Sequence, residues 1–351
     1  MYKIVLSALV SFLLALSPAT EARTERGVSA KSKKSAISKS RLKRQALSAR
    51  QSAAPRGTLV RRTIIVNGKR KTIYQRAYPA VVHQRAVPSA GDLAGLNRTA
   101  DPLDLASSVA LIVDQNSSEV LFEKNAGVAL PIASITKLMT GLVVVEANQD
   151  MHEILTITDD DVDREKFSSS RLRVGSQMTR GSLLHIALMS SENRAAAALG
   201  RNYPGGLQGF VAAMNAKAVE LGMKDTHYVD SSGLSSRNVA SARDLAKLAV
   251  AAYGQPLLRQ YSTDPKSIVD AGGRMMHYNN TNYLVALPDW NVGLQKTGYI
   301  REAGRCLVMQ TVIDGRSVIM VFLDSKGKQS RTADAGRVRR WLEAIKPPGI
   351  G

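Results

Sequence analysis

The pattern of apolar and polar residues changes character several times along the 351-residue chain. The first apolar run, Ile4 to Leu16, has 13 residues, follows one lysine and leads into small residues. It is too short to span a bilayer, for which about 20 residues are needed. It reads as a secretory signal cleaved after Ala19 or Ala22. From Arg23 to about Asn97 no period is sustained, and Lys, Arg, Ser and Ala dominate. Such a segment buries too little surface to offset its ordering entropy, so a largely disordered linker is predicted. Its one patterned patch, TIIVNGKRKTIY, suits a hairpin turning at Asn67-Gly68, an element marginal on its own.

From about Leu103 the pattern is that of a globular domain. SVALIVDQNSSEVLFEKN holds two apolar alternating runs around Asn116-Ser117, a strand pair. Helical periodicity covers Ile132–Glu146, Leu183–Leu199 and Leu207–Leu221. Ser241, three residues before Asp244, caps a further helix over SARDLAKLAVAAY. Asp314-Gly315 joins two β-rich runs as a two-residue hairpin. A last helix, about Thr332 to Ile345, stops at Pro347-Pro348. This order predicts an α/β (α+β) fold: an antiparallel sheet flanked by helices, with a mostly helical subdomain. The expected division is a signal peptide over 1–22, a basic linker over 23–98 and one domain over 99–351. No internal repeat is visible.

Composition changes the picture in one respect. The net charge of +19 is uneven: residues 1–98 hold 20 Lys and Arg against three acidic residues, and the remainder carries only +2. The basic charge therefore belongs to the tail. It suits adhesion to an anionic surface outside the cytoplasm, cell wall or lipid headgroups, with a solvated linker as the alternative. Nucleic acid is disfavoured, because no stacking aromatics alternate with the charges. The single cysteine, Cys306, has no intramolecular partner. In RCLVMQ it is expected to be a small buried hydrophobe.

Three short stretches carry candidate chemistry. In LPIASITKLMTGL, Pro131 stands at a favourable helix start, and Ser134 and Lys137 share one helix face. A serine hydroxyl is a poor nucleophile without a base in hydrogen-bond reach. Lysine serves as that base only when burial or nearby cations lower its pKa. A helix N-terminus adds positive potential beside the serine. MSSENRAAAAL sets Ser191 and Asn193 at a polar break between helical runs. There a relay hydroxyl and a substrate-orienting amide can enter one cleft; a plain helix cap at Asn193 is the alternative. In LQKTGYI, strand alternation puts Lys296 and Gly298 on one face and Thr297 on the other. Gly298 leaves room for a substrate backbone, while Lys296 and Thr297 suit a carboxylate. The histidines (His83, His152, His185, His227, His277) show no ligand spacing, and neither metal nor other cofactor is expected.

Ser-x-x-Lys, Ser-x-Asn and Lys-Thr-Gly follow one another at intervals of 57 and 105 residues. With this ordered triple the chain resembles the low-molecular-weight penicillin-binding proteins, and more narrowly the D-alanyl-D-alanine endopeptidases of the penicillin-binding protein 7 type. The resemblance extends through HYVDSSGLSSRNVASARDLAKLA and GLQKTGYIREAGRCLVMQ, over roughly 105–345. It implies a β-lactamase/DD-peptidase-like fold and a periplasmic serine peptidase that cuts D-alanyl bonds in peptidoglycan cross-links through an acyl-enzyme. β-Lactams would be covalent inhibitors. By the same resemblance Ser134 is the acylated nucleophile, Lys137 its base and Ser191 a proton relay. Asn193, Lys296, Thr297 and Gly298 bind substrate, and the backbone N–H groups of Ser134 and Tyr299 form the oxyanion hole.

Two features narrow the expectation further. Glu220 is the one glutamate between Asn193 and Lys296 and sits in a helical pattern, so rapid β-lactam hydrolysis is not expected. The chain ends 53 residues after Gly298, short of the added domain of larger carboxypeptidases, which favours the endopeptidase. A carboxypeptidase that trims terminal D-alanine is the alternative within the class. A non-catalytic basic wall-binding protein is the alternative outside it.

Overall fold

The computed structural model describes residues 58–66, 69–77 and 87–345. The signal, most of the linker and Pro347-Pro348 lie outside the described residues. The chain divides into two units, residues 1–84 and 85–351. In the first, β1 (Thr58–Val66) and β2 (Lys69–Ala77) pair antiparallel with Val66 opposite Lys69. That register is the expected hairpin; its turn, Asn67-Gly68, lies outside the described residues.

The second unit begins with α1 (Ala90–Leu93), capped by Ser89. This short helix belongs to the unit although it precedes residue 99. Ala90 N–H donates to the Glu302 carbonyl, and Asp92 pairs with Lys326 at 2.7 Å. The strands β3 (Ser107–Asp114) and β4 (Val120–Lys124) follow, then β5 (Leu130–Pro131) and α2 (Thr136–Glu146). A small pair, β6 (Ile154–Thr156) with β7 (Gln177–Thr179), leads into α3 (Arg180–Met189), α4 (Asn193–Arg201) and α5 (Gly206–Glu220). After β8 (Val239–Ala240) come α6 (Ala242–Tyr253) and α7 (Pro256–Thr263). The hairpin β9 (Lys266–Asp270) and β10 (Met275–Asn279) precedes β11 (Asn291–Ile300), β12 (Gly304–Ile313), β13 (Arg316–Ser325) and α8 (Ser330–Ala344).

Five strands form one antiparallel sheet in the order β11-β12-β13-β3-β4. Its inner strands are covered on both faces, so their residues read as nearly continuous apolar runs. Val109, Leu111, Cys306 and Val308 face the large helical core, whereas Ala110, Ile112, Leu307 and Met309 face α8. The period of two in a pleated strand sorts each sequence into these two layers. Cys306 is fully buried as expected, and burial pushes its thiol up to about 12. This is the expected α+β arrangement of sheet, flanking helices and helical subdomain.

One local expectation needs correction. Pro131 does not open the helix: it ends β5 and pairs with Val239. The N–H of Ile132 is held by the Asn238 carbonyl, and a tight 3₁₀ turn over Ala133–Ile135 intervenes before α2. Tertiary pairing overrides the local preference of proline for a first turn. The expected polar break divides the Leu183–Leu199 periodicity into two helices, α3 and α4: Ser190 ends the first and Ser191 takes a positive φ of 61°. Ser241 caps α6 as expected, accepting the Asp244 N–H.

Candidate active site

Ser134 lies in the 3₁₀ turn that leads into α2, and Lys137 in the first turn of that helix. The Lys137 side chain is fully buried, with its Nζ 2.9 Å from Ser134 Oγ, 2.8 Å from Asn193 Oδ1 and 2.6 Å from the Ser232 carbonyl. All three partners are neutral. Burial without a bonded carboxylate draws the Lys137 pKa down to about 7, against the weaker opposing fields of Asp230 and Glu192. The partner types also fix the orientation of the amine. Asn193 Oδ1 and the Ser232 carbonyl can only accept, so a neutral amine spends both N–H groups on them. Its lone pair is then left facing the Ser134 hydroxyl. That is the arrangement a general base for serine requires.

The second motif closes the other side of the cleft. Ser191 occupies the left-handed turn between α3 and α4, and Asn193 is the first residue of α4, behind its cap Glu192. The plain-cap alternative for Asn193 therefore does not hold. Its amide spans two elements, accepting from Lys137 and donating to Ser168 Oγ at 3.0 Å. Ser191 Oγ lies 3.0 Å from the Lys296 Nζ on β11. Lys296 is fully buried, and its pKa is driven well below the ordinary lysine range by burial, with repulsion from Lys137 and Arg331 added.

Strand alternation holds through the third motif. Lys296 and Gly298 face the Ser134 segment, and a Cβ on Gly298 would lie 2.8 Å from the Ile132 carbonyl and 3.2 Å from Ser134 N. Glycine is required there because no side chain fits between the strand and the turn. The Thr297 hydroxyl lies 2.6 Å from that of Thr281, on the loop after β10. Tyr299 is exposed, lines the cavity that contains Ser134, and carries the Arg305 guanidinium 4.6 Å from its ring centroid. That cavity, about 440 Å³, is rimmed by Lys166 and Glu302, an ion pair at 2.6 Å.

Sequence reasoning missed the groups that hold this arrangement together. Asp230 accepts from Ser232 N, Ser232 Oγ, Gly233 N and Ser235 N, at 2.6, 3.0, 2.5 and 2.9 Å. This loop is tied to α2 by Asn238 Nδ2 to Thr136 Oγ1 at 3.0 Å and by Thr140 Oγ1 to the Ser231 carbonyl at 2.6 Å. It delivers the Ser232 carbonyl to Lys137. Gly233 has φ +81°, and a Cβ on it would meet the Ala133 carbonyl at 1.9 Å. Asp-Ser-Ser-Gly is turn chemistry readable in the sequence, but its contact with α2 is not. Arg331, from α8, donates to the Gly298 carbonyl at 2.9 Å, a link no short-range pattern signals.

The family model of D-alanyl-D-alanine carboxypeptidase, Peptidase S11, matches residues 96–327. A D-alanyl-D-alanine endopeptidase of Pseudomonas aeruginosa is 50% identical over 242 residues, covering 68% of this chain and 78% of that protein. One of Escherichia coli K12 is 44% identical over 250 residues, covering 71% and 81%. Among solved structures, a variant of the Streptomyces K15 DD-transpeptidase superposes with a TM-score of 0.64 at 27% identity, over 69% of this chain and 99% of that one.

Proposed function

The chain belongs to the D-alanyl-D-alanine carboxypeptidase family of serine peptidases, Peptidase S11, and we propose that it hydrolyses D-alanyl cross-link bonds in peptidoglycan with Ser134 as nucleophile. The observation that carries the assignment is the Lys137 amine, buried, poised near neutrality and 2.9 Å from Ser134 Oγ.

The steps follow from the hydrogen bonds. Neutral Lys137 takes the Ser134 proton as Oγ forms its bond to the D-alanyl carbonyl carbon. The developing oxyanion is held by the N–H groups of Ser134 and Tyr299, where preorganised donors act most strongly. The C–N bond then breaks, and the leaving nitrogen takes, through the Ser191 hydroxyl that Lys296 holds, the proton Lys137 had accepted, which returns Lys137 to its neutral form. Water hydrolyses the resulting ester with Lys137 again as base. Asn193 orients the substrate amide, Lys296 and Thr297 serve the carboxylate on the leaving side, and Gly298 gives the substrate backbone its room. β-Lactams enter by the same attack on Ser134. Within α5, Glu220 pairs with Lys217 at 2.6 Å and is 65% exposed, which supports slow rather than rapid release of the β-lactam.

Fluorescent penicillin tests the nucleophile: the parent is expected to label, and labelling of Ser134→Ala at the parent rate would overturn the assignment. Digestion of purified sacculi tests the bond. Loss of cross-linked dimers is the endopeptidase result, and release of free D-alanine alone is the carboxypeptidase result. A signal over 1–22 and a basic tail over 23–98, as read from the sequence, support a periplasmic location. The tail's charge supports salt-sensitive adhesion to the wall or to anionic lipid. A chain starting near residue 87, which keeps α1, is expected to keep hydrolysis and lose retention on sacculi at low salt; equal retention would remove the adhesion role. Among the described residues no helix is long and apolar enough to cross a membrane.

A further inference from the structure

A second cavity, of about 330 Å³, adjoins the one that contains Ser134, and the two share Asn193 as a common wall. Its lining is polar: Ser170, Arg171, Ser190, Ser191, Glu192 and Tyr278. Three of these groups are left incomplete by the protein. Tyr278 is 1% exposed, yet its hydroxyl has no hydrogen-bond partner. Buried hydroxyls are nearly always paired, so an orphan that lines a cavity marks a place where a ligand group completes the bond. The Arg171 guanidinium lies 3.9 Å from the centroid of the Tyr278 ring and, among the described residues, donates only to the His277 carbonyl. Glu192 is buried, and one carboxylate oxygen accepts from Ser170 Oγ at 2.6 Å and from Arg194 N at 3.4 Å. Among the described residues no cation pairs with it. The cavity thus offers a donor from Arg171 and an acceptor from Glu192, with the unpartnered Tyr278 hydroxyl buried in its wall.

That mixed set fits neither a simple anion, which Glu192 would repel, nor an apolar group. It fits a peptide backbone, whose carbonyl and N–H need one donor and one acceptor. The position of the cavity says which part of the substrate it takes. Acylation gives the departing nitrogen its proton at Ser191, and Ser191 is a wall of this cavity. The chain attached to that nitrogen therefore leads away from Ser134 and past Ser191. We infer that the cavity bounded by Arg171, Glu192 and Tyr278 is the subsite for the peptide arm on the leaving side of the cleaved bond. The inference rests on the endopeptidase reading, because free D-alanine is too short to extend beyond Ser191. It makes the second cavity a feature that discriminates a cross-link from a terminal residue. Burial, with Glu192 nearby, pushes the Tyr278 hydroxyl up to about 12, so it stays a neutral donor.

The test compares two reactions of one enzyme: hydrolysis of a purified cross-linked muropeptide dimer, and acylation by fluorescent penicillin, which has no leaving peptide arm. Tyr278→Phe removes the hydroxyl and keeps the ring; Arg171→Ala removes the guanidinium. In each variant the ratio of dimer hydrolysis to penicillin acylation is expected to fall roughly tenfold, the scale of one lost hydrogen bond to a charged or buried group, and mainly through KM. A proportional fall in both reactions would make the residues structural and overturn the subsite. Dimer hydrolysis at the parent rate in both variants would also overturn it, while leaving the endopeptidase reading intact. A parent enzyme that releases D-alanine but cuts no dimer would overturn the endopeptidase reading itself, and the subsite with it.

Discussion

Two buried polar clusters sit at opposite ends of the same argument about charge. Around Asp334, on α8, every charge is matched. Its carboxylate accepts from Ser107 N, Ser107 Oγ and Ala106 N at 2.9, 2.6 and 3.1 Å, and pairs with Arg337 at 2.7 Å. Around Lys137 the ammonium meets only neutral acceptors, and Lys296 meets a serine hydroxyl and a carbonyl. Hydrogen-bonding completeness is similar in the two places, but charge balance is not. A matched cluster fixes geometry and stays in one protonation state. A cluster of buried cations without bonded carboxylates has its proton affinity pulled toward neutrality, where it can exchange protons with substrate. The two are also connected. Asp334 fastens α8 to β3, and one turn earlier the same helix presents Arg331 to the Gly298 carbonyl beside Ser134. The matched cluster supports the unmatched one.

This contrast predicts a separation of effects. The largest falls on Lys137→Ala, for which penicillin acylation of Ser134 is expected to drop by about three orders of magnitude, the scale of a lost general base. The folded protein should remain, by circular dichroism; acylation at the parent rate would remove Lys137 as base. Next is Asp334→Ala, which strands the Ser107 and Ala106 N–H groups. It should destabilise the fold by about 3 kcal/mol in denaturant unfolding. If its main effect were on chemistry at unchanged stability, the division between the clusters would fail.

The third effect is a pH dependence. With Lys137 as the proposed base its neutral form would be the active one, so acylation should rise with pH through about 7 and level off above. Asp230 favours the protonated form, so Asp230→Asn should move that rise to lower pH. A limb that stays in place would confine Asp230 to holding the loop. The fourth effect is a pH dependence of stability. The folded pKa of Lys137 is below its unfolded value, so burying it opposes folding fully below about 7 and progressively less up to the ordinary lysine value of 10.5. Relative to Lys137→Met, the parent should therefore gain stability as pH rises across that window. A difference that is flat with pH would mean Lys137 is not buried as a depressed amine.

Much of this was legible before the fold was known, and the particular residues show why. Strand pairs at Asn116-Ser117 and Asp314-Gly315 and the Ser241 cap were readable because turns and caps depend on neighbours in sequence. Pro131 misled because its role depends on pairing with Val239, about a hundred residues away, which no local preference can report. The polar break at Ser191 was readable too, but its consequence, the meeting of that hydroxyl with Lys296, was not. Asp230, Asn238 and Arg331 were silent for the same reason: each acts through a contact between distant segments.

The sequence by itself determined which chemical groups were available: a serine and a lysine three residues apart, a Ser-x-Asn and a Lys-Thr-Gly, in an order that marked the family. Reactivity was decided only by the tertiary structure. An ordinary lysine is protonated at neutral pH and useless as a base. Here folding draws its pKa down to about 7, because it removes the amine from water, surrounds it with Asn193 and the Ser232 carbonyl, and leaves it no carboxylate partner. Proton affinity is a property of the surroundings, and the surroundings of Lys137 come from three separate parts of the chain.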